Sequence, residues 1–203
     1  MPYQFHIFLS YRRHREWPEW VRDKFLPIFQ HWLGEELGED DKTFFDQEIE
    51  TGTAWPHKLA QTLAESRILV PLWSRQYFSS PWCRAELTHM LAREKACGFG
   101  TAKRPEGLIV PAIIHDGEDI PSYARQIQAL KLSHLANIRI AKNSSTEEEL
   151  SAQIRKWMPE IVQAIRRAPI HDPGWRDLAT TEFLKLFTAT EPKQEKPPSL
   201  GNP

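Results

Sequence analysis

An α/β fold on a doubly wound, five-stranded parallel sheet with helices on both faces follows from three observations on this 203-residue chain. Short apolar runs alternate with longer segments whose apolar residues recur every three to four positions. Two of the runs, residues 67–73 after the leading Arg67 and residues 108–114, are continuously apolar, as strands covered on both faces are. The chain is 40% hydrophobic and carries eight Trp and ten Phe, enough for one core and too much for a disordered chain.

The elements follow in order. Phe5, His6, Ile7, Phe8 and Leu9 form a buried strand that emerges at Ser10, Tyr11, Arg12 and Arg13 into a polar loop. Residues 17–37 place Trp20, Val21, Phe25, Ile28, Phe29, Trp32 and Leu33 on one helical stripe, with Pro18 in its first turn and Gly34 and Gly38 at its end. Thr43, Phe44 and Phe45 make a short strand leading into a charged loop, residues 46–52, closed by Gly52. A helix over about residues 54–65 and the strand at 67–73 come next. Ser80-Pro81 is a serine cap with proline at the first helical position, and Gly98 is the stop. The strand at 108–114 precedes a weaker last one at 129–132, with 138–140 as a further candidate. Ser145, Thr146, Glu147 and Glu148 read as a capping box, opening a helix expected to kink at Pro159. The architecture is therefore flavodoxin-like. Residues 1–168 are expected to form the main domain and 191–203 a disordered Pro-rich tail. Between them, 169–190 is an amphipathic extension with Trp175, Leu178, Ala179, Phe183 and Phe187 on one stripe, expected to pack on its own domain.

Composition removes several function classes. With 26 Lys and Arg against 27 Asp and Glu, the net charge of -1 offers no global field for nucleic acid or an acidic membrane. The first residues lack a cationic and apolar leader, and no run reaches the roughly 18 apolar residues of a membrane span, so a cytoplasmic location is expected. Cys83 and Cys97 are too few for a disulfide framework and have no zinc-ligand spacing with neighbouring His, so no metal is expected. Neither glycine-rich phosphate loop occurs, nor a nucleophile elbow around Ser10, nor a zinc-protease His pair.

Ligands of an open parallel sheet bind beyond the carboxyl ends of its strands. Residues 10–13, 46–52 and 73–86 meet that condition. Among them Trp82 and Glu86, four apart on a helix, set an aromatic wall and a carboxylate on one face. An indole stacks on a base or ribose, and a carboxylate holds ribose hydroxyls and stabilises positive charge at an anomeric carbon. Each residue also has a structural reading. Glu86 has Arg84 and Arg93 within pairing range in sequence, Trp82 suits the core edge, Arg12 and Arg13 suit solvated loop positions, Asp46 suits a loop brace, and Ser10 suits a hydroxyl bonded to backbone.

Taken together, these segments resemble the Toll/interleukin-1 receptor (TIR) domain family. Phe8, Leu9, Ser10, Tyr11, Arg12 and Arg13 resemble its box 1, and residues 46–52 its acidic BB loop. Residues 66–74, then Tyr77 and 79–87, resemble its third strand and the start of helix αC. The resemblance covers about residues 4–167 and is closer to the enzymatic, bacterial-type members, because Trp82 and Glu86 reproduce their W-x-x-x-E arrangement. It implies cleavage of NAD+ at the nicotinamide–ribose bond, with NAD+ as substrate and no cofactor. Glu86 would be the catalytic carboxylate, and Ser10, Tyr11, Arg12, Arg13, Asp46 and Trp82 would contact substrate. It also implies a role in antiphage or immune defence, with a downstream nucleotide-sensing effector as a further partner. The rival is a non-catalytic TIR adaptor that binds other TIR domains.

Charge placement adds an expectation about assembly. Residues 35–50 hold eight acidic residues and one Lys, whereas residues 54–104 hold eight basic and three acidic ones. Surfaces of opposite sign favour head-to-tail self-association. In TIR terms it would join the αC side to the BB loop, here Gln47, Glu48, Ile49, Glu50, Thr51 and Gly52.

Overall fold

A computed structural model describes residues 3–38, 42–45 and 55–188 of the chain. Its centre is a five-stranded, wholly parallel sheet in the order β2-β1-β3-β4-β5. The strands are β1 (Phe5–Tyr11), β2 (Thr43–Phe44), β3 (Ser66–Trp73), β4 (Ala112–Ile113) and β5 (Leu130–Lys131). The order reverses between β1 and β3, which pair from Phe5 opposite Ser66 to Tyr11 opposite Leu72. That reversal opens a crevice at their carboxyl ends.

The helices are α1 (Trp17–Trp20), α2 (Leu26–Leu37), α3 (Trp55–Ala64), α4 (Arg75–Ser79), α5 (Pro81–Ala96), α6 (Ser145–Arg167) and α7 (Gly174–Thr188). Helix α2 packs on α6, while α3 and α5 pack on α7, and α3, α5 and α6 each reach β3. Every side chain from Ile68 to Trp73 is buried, so both faces of β3 are covered.

Several local expectations need correction. The helix expected over 17–37 is interrupted by a π-helical turn, Val21–Phe25. It lies just ahead of Pro27, which supplies no N–H and whose ring would collide with the carbonyl one turn back, and a widened turn relieves both. Gly34 stays inside α2; the stop is Gly38 alone, in the left-handed region at φ 69°, with its N–H bonded to the Gly34 carbonyl at 2.9 Å. Of residues 108–114 only Ala112–Ile113 form a regular strand, with one earlier bridge from Ile109 to Leu69, because Pro111 cannot donate to the ladder. Residues 138–140 lie in turns, with no strand. Strict alternation fails between β4 and β5, where the connection holds only the 3₁₀ turn Gly117–Asp119 and meets Pro121.

Caps account for the well-placed ends. Ser80 accepts from the Cys83 N–H at 3.4 Å ahead of Pro81, as expected for α5. For α6 the box sits one residue earlier than expected, since Ser144 accepts from the Glu147 N–H and the Glu147 carboxylate from the Asn143 N–H. Pro159 is exposed inside α6, which runs through it without a break from Ser145 to Arg167. The extension supplies α7, whose Trp175, Ala179 and Phe183 are buried in the main core. Phe187's side chain and residues 191–203 lie outside the described residues.

Candidate active site

At the crevice between β1 and β3 lies a cleft of about 310 Å³, lined by Tyr11, Arg12, Arg13, Leu59, Ser80, Trp82, Cys83 and Glu86. That is the lower end of the roughly 300–1,000 Å³ usual for small-molecule sites. Three elements build it. β1 delivers Tyr11 and the arginines at its end, α3 contributes Leu59, and the cap and first turns of α5 bring Ser80, Trp82, Cys83 and Glu86.

Glu86 lines this cleft although it is only 6% exposed. One carboxylate oxygen, Oε2, bonds to the hydroxyl of Ser10, and Ser10 Oγ lies 3.1 Å from the hydroxyl of Tyr77. Ser10 has one proton and an ionised carboxylate can only accept. The direction is therefore Tyr77 to Ser10 to Glu86. Tyr77 is fully buried, and burial, reinforced by the neighbouring Glu86 carboxylate, pushes its pKa well above the ordinary phenol value, which keeps its donor proton in place. Tyr77 itself is held by α4, whose first turn is capped by Ser74.

The other expected residues separate into two groups. Tyr11, Arg12, Arg13, Trp82 and Glu86 line one cleft. Arg12 is half-buried with Nη1 3.4 Å from Ser80 Oγ, whereas Arg13 is exposed at the rim. Ser10 is buried behind the lining residues, with its hydroxyl bonded to Glu86. Its hydroxyl also bonds to two side chains, where a backbone bond was the structural expectation. Asp46 and the loop residues Gln47, Glu48, Ile49, Glu50, Thr51 and Gly52 lie outside the described residues. Tyr77, Leu59 and Phe183 had no assigned part in the site. Tyr77's place in it depends on the strand register, and Phe183 packs its ring 5.6 Å from that of Trp82.

Helix α5 carries more buried polarity below the cleft. His89 and Arg93 follow Glu86 on the same face, and both are fully buried. Arg93 donates to the carbonyls of Ser66 at 3.0 Å and Leu63 at 3.4 Å and to the Tyr3 hydroxyl at 3.2 Å, and stacks 4.0 Å from the Trp175 ring centre. Burial lowers its pKa. Burial, with the Arg93 charge, pushes His89 down to about 3. Arg93 was counted among the basic surface residues; it belongs to the core, so the basic side of the chain carries one cation fewer than the sequence implied. Cys83 and Cys97 are free thiols, and Cys83 is buried.

Among the described residues, no helix is long and apolar enough to cross a membrane. The TIR domain family matches residues 7–150. Over 87 residues the chain is 37% identical to the protein SUPPRESSOR OF npr1-1, CONSTITUTIVE 1 of Arabidopsis thaliana, a stretch covering 43% of this chain and 5% of that protein. Among solved structures, the TIR domain of the Toll-related receptor TRR-2 from Hydra magnipapillata aligns with 80% of this chain and 99% of its own, at 15% identity and a TM-score of 0.50. The TIR domains of the activated Roq1 resistosome, which directly recognises the pathogen effector XopQ, align with 90% of this chain and 99% of theirs, at 20% identity and a TM-score of 0.39. The Hydra likeness is one of fold. The order and parallel pairing of the strands, the crevice at the ends of β1 and β3, and a family match over most of the chain agree, and the chain belongs to the TIR domain family.

Proposed function

We propose that this TIR domain is an NAD+ hydrolase or cyclase that cleaves the nicotinamide–ribose bond. The observation that carries the reading is the placement of Glu86: a buried carboxylate that lines the cleft and is oriented from behind by Ser10 and Tyr77. Nicotinamide leaves as a neutral molecule from a cationic glycoside, so no general acid is required. What the reaction needs is a fixed negative charge beside the ribose as oxocarbenium character develops. A buried carboxylate held by a neutral hydroxyl chain meets that need without reorganising.

The cleft volume is suited to the nicotinamide riboside half of the substrate, with Trp82 and Tyr11 as walls. The pyrophosphate would lie at the rim, where Arg12 and Arg13 offer charge-assisted donors. Water, the substrate's own adenine or an added nucleophile completes the reaction, giving ADP-ribose, a cyclic isomer or a base-exchanged nucleotide. Family resemblance supports a cytoplasmic role in defence, activation by head-to-tail self-association through the BB loop and α5, and a nucleotide-sensing effector downstream. The test is nicotinamide release from NAD+ by the purified chain at several protein concentrations, beside Glu86→Ala. Activity of both proteins, or of neither in an assembled state, rejects the reading and leaves the adaptor role.

A further inference from the structure

We infer that α7 completes the nucleotide cleft within the same chain, with Phe183 as the positioning residue that holds Trp82 in place as its wall. The inference rests on the nucleotide reading of the cleft. Helix α7 lies beyond residues 7–150, which the family match covers.

On α5, Trp82 and Arg93 are eleven residues apart, three turns along one face and about 16 Å by helix rise. On α7, Trp175 and Phe183 are eight apart, about 12 Å, and also share a face. The pairs meet antiparallel. Trp175 lies under the Arg93 guanidinium at 4.0 Å, and Phe183 packs on Trp82 with the rings tilted by 33°. Between them Ala179 is fully buried, a small residue where the helices close on each other.

The two ends have different tasks. At the Arg93 end the docking is polar and anchored twice, because Tyr3 donates to the Pro169 carbonyl at 2.8 Å just ahead of α7 and accepts from Arg93. That end fixes where α7 begins. At the other end Phe183 is fully buried, whereas Trp82 is only half-buried and lines the cleft. The indole is thus supported by α7 on one part of its surface and open to a ligand on another. Without Phe183 the indole has a void beside it and its χ angles are no longer fixed by packing.

Binding of ADP-ribose to the full chain, measured by calorimetry, tests this together with KM and kcat for NAD+. Phe183→Leu and Phe183→Met keep an apolar residue under the indole so that α7 stays docked, which the melting temperature checks. Both are expected to weaken ADP-ribose and raise KM by about tenfold with kcat little changed. In a Trp82→Ala background Phe183→Leu should have no further effect, since its influence passes through the indole. Leu184→Ala, at an exposed position of α7, should bind as the wild type does. Wild-type affinity in both Phe183 variants, or effects of Trp82→Ala and Phe183→Leu that simply multiply, would overturn the role of Phe183 and leave the nucleotide reading intact. A wild-type chain that neither binds ADP-ribose nor releases nicotinamide would overturn both.

Discussion

Ser10, on β1, holds the carboxylate of Glu86, on α5, by a direct hydrogen bond across the crevice, and is itself held by Tyr77. Strand and helix are thereby joined at the acidic side chain that, among the described residues, lines the cleft. Hydrogen bonds to charged groups contribute about 1.5–3 kcal/mol. Ser10→Ala is therefore expected to lower kcat for nicotinamide release by about ten- to a hundredfold while the chain stays folded. Steady-state kinetics with a parallel thermal melt would check it; an unchanged kcat would mean that Glu86 needs no such support.

Acid sensitivity should follow from His89. Its pKa is depressed from 6.5 to about 3 in the folded chain, so between those values the unfolded chain binds the extra proton. Its contribution to stability is complete above pH 6.5 and declines as pH falls toward 3, by about 1.4 kcal/mol per pH unit. Urea midpoints at pH 7.5 and 5 should differ less for His89→Met than for the wild type. Equal differences would show that other groups govern the acid limb.

Arg93 makes no carboxylate contact among the described residues; its charge is met by two carbonyls, a phenol oxygen and an indole face. A fork of donors serves that arrangement and an ammonium does not. Arg93→Lys, which keeps the charge, should cost on the order of 2–3 kcal/mol in urea unfolding. Full stability in that variant would show that charge alone suffices.

How much was legible in the residues varied with the range of the interaction. Periodicity and caps located β1, β3, α5 and the body of α6, because those signals lie within a few residues of the element they specify. The crevice was legible as well, since parallel alternation places it at the strand ends. Tyr77 was not, because its partner Ser10 is 67 residues away and comes near it only through the register of β1 on β3. Arg93 was misassigned to the surface for a related reason: its acceptors are carbonyls of α3 and β3, which carry no mark in a sequence. The pairing of Phe183 with Trp82 likewise depends on how α7 docks, although the stripe that buries Phe183 was visible.

Self-association is expected to make activity rise more than linearly with protein concentration and fall with added salt, because residues 35–50 hold eight acidic residues and one Lys whereas residues 54–104 hold eight basic and three acidic ones. Specific activity measured across a hundredfold range of concentration, at low and high ionic strength, would check this. Strict proportionality at every salt concentration would mean that one protomer suffices.

In the proposed reaction Glu86 provides the charge on which cleavage depends. The decisive comparison is nicotinamide release from NAD+ by concentrated wild type and by Glu86→Gln, since the amide keeps the size and one oxygen that can accept from Ser10 while it removes the charge. The expected result is steady release by the wild type and a loss of at least about a hundredfold in the variant, with both chains melting alike. Equal release from the two proteins would contradict it.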